Sequence, residues 1–202
     1  ISLGTKLPSD VENGIIISAS DWNASIGSNI ISNESINPVG PFLAALFGAV
    51  EIFKSVFIDT SLAENIVKVP PDYKYSSWYG GINPISEKSD LYFDNVCVFG
   101  VGAVTHSLMW LLEHWPGTLI GTLHLVDHDK YDSGNGQRYI GMRHEDINHN
   151  KAEVMASKLD KLHPKLKIDV NPIDMNSYFT TKKSDCKIEL AISGLDSPQG
   201  RQ

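Results

Sequence analysis

A chain of 202 residues can bury one substantial core and a smaller appendage. Hydrophobic content of 42% with 20% charged residues is ordinary for a globular protein, and a net charge of −7 argues against a general nucleic-acid binder, which needs a basic footprint. Two cysteines cannot build a disulfide framework, so a reducing cytoplasm without membrane association is the expected setting.

Residues 1–13 are polar and turn-rich. Gly14 to Ala19 reads as a strand, with Asp21-Trp22-Asn23 as the turn after it. Breakers at Asn37-Pro38 and Gly40-Pro41 mark a loop, and Pro41 opens a helix predicted from Phe42 to about Ile58. That helix is apolar around most of its circumference, which predicts a buried core helix too short and too charged to span a membrane. Glu51 and Lys54 read as a helix-face pair three residues apart. Val69 through Asp90 carries the linker signals, together with Tyr73, Tyr75, Trp78 and Tyr79. Two domains are therefore expected, 1–90 as an N-terminal α/β extension and 91–202 as the main fold.

The second domain opens on Val96-Cys97-Val98-Phe99, a short apolar run suited to a buried parallel strand. Gly100 and Gly102 follow, allowing a tight turn that brings backbone N–H groups and a helix N-terminus close to an anion. Ala103 to Trp115 is predicted helical with Leu108, Leu111 and Leu112 facing the sheet, and Pro116-Gly117 ends it. Thr105 occupies the third position of the G-x-G-x-x-G pattern, which predicts looser helix-to-strand packing. Gly121 to Val126 is the second strand, and Asp127 at its end is placed to accept hydrogen bonds from ribose hydroxyls. A glycine-rich loop, 131–143, leads to a helix predicted over Asn148 to Leu162 with Met155, Leu159 and Leu162 inward. Strands at Lys167–Val170 and Ile188–Ile192 complete the pattern and bring Asp196 beside the glycine turn. The seven histidines lack metal-ligand spacing; His106, just past the glycine turn, is the one that could approach a phosphate. Cys97 reads as a small buried hydrophobe and Lys182-Lys183 as a solvated turn.

The glycine turn, Asp127-x-Asp129, Asn135-x-x-Arg138, Lys151-Ala152, and Asp196 with Arg201 together resemble the ThiF/MoeB family of adenylating enzymes, which includes the ubiquitin-activating enzymes. The resemblance covers about half the chain, from Asn95 onward. It implies a Rossmann-like, mostly parallel sheet and an ATP-dependent adenylyltransferase. Such an enzyme activates the C-terminal carboxylate of a ubiquitin-like or sulfur-carrier protein as an acyl-adenylate. It further implies that Gly100 and Gly102 shape the nucleotide turn, and that Asp127 holds the ribose with Asp129 nearby. Asn135, Arg138 and Lys151 would contact the ATP phosphates, and Asp196 would hold Mg2+. A homodimer is implied as well. Elementary chemistry agrees: attack on an α-phosphate needs cations around the phosphates and a metal on the leaving pyrophosphate.

The chain departs from the family pattern at Gly134, Tyr139 and Ser197, where serine, glutamine and asparagine are usual. It has no arginine before Arg138, whereas homodimeric members bring an N-terminal arginine to the partner's ATP. The chain stops at Gln202, soon after Asp196, and the full protein is expected to continue with the rest of the sheet, the acceptor surface and any catalytic cysteine. Two other readings stand beside adenylation: a non-catalytic scaffold subunit of such an enzyme, and an NAD-dependent oxidoreductase, which the glycine turn and Asp127 equally permit.

Overall fold

Residues 2–3, 9, 15–27, 37–57, 73–76, 90–182 and 187–195 are described by the computed structural model. They divide between two units, Ile1–Glu87 and Lys88–Gln202.

In the first unit β1 (Ser2–Leu3), β2 (Ile16–Ser20), β3 (Asn23–Ile26) and β4 (Tyr73–Ser76) form one sheet in the order β1-β2-β3-β4. β1 runs parallel to β2, and the other two pairings are antiparallel. The strand expected at Gly14–Ala19 starts and ends slightly later, and Asn23 belongs to β3 because Asp21 and Trp22 suffice to reverse the chain, Asp21 taking a φ of 50°. The linker expected at 69–90 contains β4, whose tyrosine-rich run pairs residue for residue with β3. Tyr75 there meets Phe47 edge-on, with ring centroids 6.1 Å apart, while Trp78 and Tyr79 lie outside the described residues.

Helix α1 (Val39–Phe57) begins two residues before Pro41, its start set by the Asn37 side chain, which accepts from the Val39 amide at 2.9 Å. Ala44, flanked by Leu43 and Phe47, packs on Ile17, Ala24 and Ile26. The helix is not buried all round: Leu46, Val50 and Ile52 are about half exposed, because one sheet face covers only one side of a helix. Glu51 and Lys54 form a 2.7 Å ion pair with each other. Among the described residues no helix is long and apolar enough to cross a membrane.

The second unit holds β5 (Leu91–Phe99), α2 (Ala103–Glu113), β6 (Leu119–Val126), α3 (Lys151–Leu162), β7 (Leu166–Asn171), α4 (Met175–Thr181) and β8 (Leu190–Ser193). All four strands are parallel, in the order β7-β6-β5-β8. The chain moves outward from β5 to β6 and β7, then returns to the other side of β5 as β8. That reversal makes a crevice at the C-terminal ends of β5 and β8, the place where open α/β sheets bind ligands. The sheet centre is dry: Cys97, Val98, Leu123 and Leu125 have no exposed surface.

Helix faces differ in detail from the sequence pattern. α2 buries Thr105, His106, Met109 and Leu112, a stripe rotated from the expected Leu108/Leu111/Leu112 face because two polar residues find partners inside. α3 starts at Lys151, since Asn148 has a φ of 69° and Asn150 is the N-cap; Met155 and Leu159 are buried but Leu162 is 55% exposed. Lys182, expected in a solvated turn, donates to Asp169 at 2.6 Å and ties the end of α4 to β7.

Candidate functional site

Gly100 leaves β5 with a φ of +84°, and a side chain there would run into Leu195 and Gly194. Its conformation is held on three sides. The Gly100 amide donates to Val126 O at 2.9 Å, and the Gly194 amide, just past β8, donates to Phe99 O at 2.8 Å. Thr105 is 1% exposed and its hydroxyl donates to Gly100 O at 2.6 Å. The expected loosening at this position is thus replaced by a hydrogen bond across the turn, and a Cβ on Gly194 would strike the same hydroxyl. Gly102 caps α2, directing that helix N-terminus at the crevice.

Asp127 anchors the turn from the neighbouring strand. One carboxylate oxygen accepts from the Val101 amide at 2.6 Å and the other from the Asp129 amide at 2.8 Å. Asp129, more exposed, pairs with the Lys151 ammonium at 2.9 Å and lies 3.4 Å from His128 Nε2. Lys151 is 7% exposed. Burial opposes its charge, but the Asp129 hydrogen bond and the nearby Asp127 carboxylate outweigh that and hold its pKa above the usual lysine range. Asn150 places this lysine: its oxygen caps α3 through the Glu153 amide, while its Nδ2 donates to Asp127 O at 2.9 Å and Asp129 O at 3.1 Å. A helix expected from Asn148 misses this cap; an Asn followed three residues later by a Glu or Gln is the signal that could have found it, though not the bridge between strand and helix.

Arg138 reaches the same crevice from the glycine-rich loop. It is exposed, donates weakly to Gly134 O at 3.3 Å, and stands 5.4 Å from the Tyr139 ring centre. Asn135 supports that loop from beneath. It is 5% exposed, and its side-chain oxygen accepts from the Asp132 amide, closing a capping box. It does not line the crevice. His106 is also kept away from it, being fully buried. Its Nδ1 lies 3.0 Å from Ile140 O and its Nε2 2.9 Å from the Tyr131 hydroxyl. A carbonyl only accepts, so Nδ1 carries the proton and Nε2 accepts from Tyr131. Burial holds this imidazole below the usual histidine pKa, and it is neutral.

The crevice has a volume of about 820 Å³, within the range of small-molecule and cofactor sites. The glycine turn, Arg138 and Lys151 line it together with apolar Val126, Ile173, Met175 and Leu195 and polar Asp174, Asn176 and Ser193. Cations beside apolar groups suit a ligand with an anionic end and a flat apolar end, as ATP has. The residues after β7 were not foreseen as site residues, because nothing in Ile173-Asp174-Met175-Asn176 marks a ligand contact before the topology places it there.

A magnesium ion fits less well among the described residues. Asp127, His128 and Asp129 can bring three ligand atoms within 4.8 Å. Asp127 already accepts two amides and Asp129 already pairs with Lys151, so a cation at this cluster would displace the lysine. Asp196, expected to hold the metal, lies outside the described residues, as do Ser197, Arg201 and Cys186.

A four-stranded parallel sheet with a glycine turn at its switch point defines a Rossmann-like α/β domain. The ThiF family model matches residues 84–202, and the chain belongs to that family. Across 193 residues it is 26% identical to the uncharacterized protein y4jF of Sinorhizobium fredii, which covers 92% of this chain and 36% of that one. It is 32% identical over 76 residues to the tRNA threonylcarbamoyladenosine dehydratase of Escherichia coli, covering 38% and 27% of the two chains. The crystal structure of that dehydratase, TcdA, is similar with a TM-score of 0.42 and 24% identity, covering 50% of this chain and 41% of the other. Escherichia coli MccB is similar with a TM-score of 0.43 and 21% identity, covering 52% and 29%. The chain thus spans about a third of the length of the curated relatives it matches.

Proposed function

We propose that this chain carries the ATP-binding part of a ThiF-type adenylyltransferase, working as a homodimer, which activates the C-terminal carboxylate of a ubiquitin-like or sulfur-carrier protein. The observation that carries the reading is the convergence of Lys151, Arg138 and the α2 N-terminus on one cleft, with Asp127 at the adjoining strand end. An oxidoreductase binding NAD gives no reason for Asn135-x-x-Arg138, Lys151 and Asp196 to occur together in one chain.

In the proposed reaction a carboxylate oxygen of the carrier attacks the α-phosphorus of ATP. A new P–O bond forms, the bond from the α-phosphorus to the bridging oxygen breaks, and pyrophosphate leaves. The chain supplies no nucleophile. Lys151 and the N-terminus of α2 stabilise charge gathering on the α-phosphate, and Arg138 holds the departing phosphates through its forked donors. Asp127 offers its remaining lone pairs to the ribose. Asn135 serves the phosphates through the loop it caps. Asp196 is the residue proposed to hold Mg2+, which when bound neutralises charge on the leaving pyrophosphate.

The test is ATP–pyrophosphate exchange by the full-length protein with its carrier. Arg138→Ala and Lys151→Ala should each lower exchange by about 100-fold, the scale of removing one preorganised charge-stabilising group. Unchanged exchange in both variants sinks the reading. Absence of exchange in the wild type, with magnesium-independent ATP binding retained, would favour the scaffold subunit instead.

A further inference from the structure

Where the family pattern carries glutamine after the phosphate-loop arginine, this chain carries Tyr139, and the structure gives that ring an unusual set of neighbours. It is 8% exposed and lines the cleft. Its centre is 5.4 Å from Arg138 Cζ and 5.5 Å from Lys151 Nζ, so both cleft cations fall within cation–π reach of one ring. The ring is itself immobilised. It stacks on His106 at 4.6 Å with planes 27° apart, and Tyr131 meets it edge-on at 6.1 Å. His106 cannot swing away, because Ile140 O and the Tyr131 hydroxyl hold both of its nitrogens.

We propose that Tyr139 is a positioning residue for the triphosphate, its ring holding the Arg138 guanidinium and the Lys151 ammonium at the cleft wall before nucleotide arrives. The inference rests on the adenylation reading and adds a residue that the glutamine of the family pattern could not replace. Two like charges brought to one wall repel until an anion separates them. Lys151 has Asp129 to offset that repulsion, but among the described residues the exposed Arg138 has only the long contact to Gly134 O besides the ring. The negative face of Tyr139 offsets part of the repulsion and keeps the guanidinium from sweeping through solvent. A neutral His106 beneath the ring matters for the same reason, since an imidazolium there would add a third positive charge. The role belongs to the π face: both cation distances are to the ring centre, so phenylalanine should replace tyrosine and an aliphatic side chain should not.

The experiment is calorimetric titration of ATP, and separately of adenosine, into the full-length wild type and the variants Tyr139→Phe, Tyr139→Leu and Tyr139→Gln. Adenosine lacks all three phosphates, so neither cation acts on it, and it serves as the control for an intact site. Tyr139→Leu and Tyr139→Gln should each weaken ATP about ten-fold, as expected for losing one partly desolvated cation–π contact set, and leave adenosine within about two-fold. Tyr139→Phe should bind both as the wild type does. If Tyr139→Leu does not fold, Tyr139→Gln carries the same comparison. Equal losses for ATP and adenosine, a loss in Tyr139→Phe, or no loss in Leu and Gln would each overturn the inference while leaving adenylation standing. A wild type that binds no ATP would overturn both.

Discussion

Asn150 joins three pieces of the site, and its removal can be worked out contact by contact. Truncation to alanine deletes the N-cap of α3, which costs about 1 kcal/mol. It also deletes the Nδ2 donor shared by Asp127 O and Asp129 O. Asp129 O keeps the Lys151 amide at 3.0 Å, so the main orphan is the buried Asp127 carbonyl, worth about another 1–2 kcal/mol. Asn150→Ala should therefore lose about 2–3 kcal/mol, or roughly 8–12 °C in melting temperature for a unit of this size. Asn150→Ser separates the two parts, because serine caps a helix as well as asparagine but cannot bridge to the strand. It should lose only about half as much stability. It should also weaken ATP, since Lys151 is the residue that follows. Paired thermal melts and ATP titrations of both variants check this. An Asn150→Ser protein as stable as the wild type would refute the bridge, leaving Asn150 a helix cap and nothing more.

Replacing Thr105 by valine keeps the shape but orphans Gly100 O, and should cost about 1–2 kcal/mol, read as a lower urea midpoint at unchanged slope. Asp127→Asn sets an NH2 group against a backbone amide and should cost about 1–3 kcal/mol, with faster hydrogen exchange at Val101 and Asp129 before any nucleotide is added. Asp169 predicts an acid transition. Burial works against its charge, but hydrogen bonds from Lys182, His124 and Asn171 hold its pKa down to about 2, below the unfolded value of 3.8. A depressed carboxylate stabilises the fold above the unfolded pKa and loses that contribution as pH falls through the folded one. Stability should accordingly decline between about pH 4 and pH 2 more steeply in the wild type than in Asp169→Asn, as followed by circular dichroism.

What was legible in the sequence follows from how local each signal is. The apolar run into Gly100-x-Gly102 and the second strand ending in Asp127 are contiguous patterns, and they gave the parallel sheet and the position of its crevice. Lys151 was found through the Lys151-Ala152 pair of the family pattern, while its helix was expected from Asn148 and begins at Lys151. Tyr139 was noticed only as a departure, because its value lies in His106, 33 positions earlier, and in Lys151, 12 positions later, which only the fold brings together. The opposite error occurred at His106. Its place after the glycine turn suggested a phosphate contact, but helical geometry turns that position into the core, where Tyr131 and Ile140 satisfy it. In the first unit the alternation of tyrosines at 73–76 was outweighed by the surrounding prolines and glycines, so β4 was missed. Its partner strand lies about 50 residues away, beyond the reach of any local pattern.

The two sides of the cleft are built to different stiffness, and this bears on how a nucleotide would meet them. The glycine turn is tied to β6 by Asp127, to α2 by Thr105 and to the end of β8 by Gly194. Lys151 is buried, and its helix is fastened to the Asp127-x-Asp129 segment by Asn150. These groups lose little freedom on binding, so their attraction for phosphate reaches the affinity nearly undiminished. Arg138 is the exception, exposed on a glycine-rich loop with weak restraints. In the proposed adenylation, a stiff cation at the turn and an adjustable one farther along the loop would let the α-phosphate be held in register while the outgoing phosphates shift during bond cleavage. A rigid Arg138 would bind ATP and pyrophosphate alike, and catalysis gains only from contacts that strengthen toward the transition state. The aromatic support beneath Arg138 is consistent with that division, because a cation–π contact keeps the guanidinium near the ring without fixing its in-plane orientation, as a bidentate carboxylate partner would.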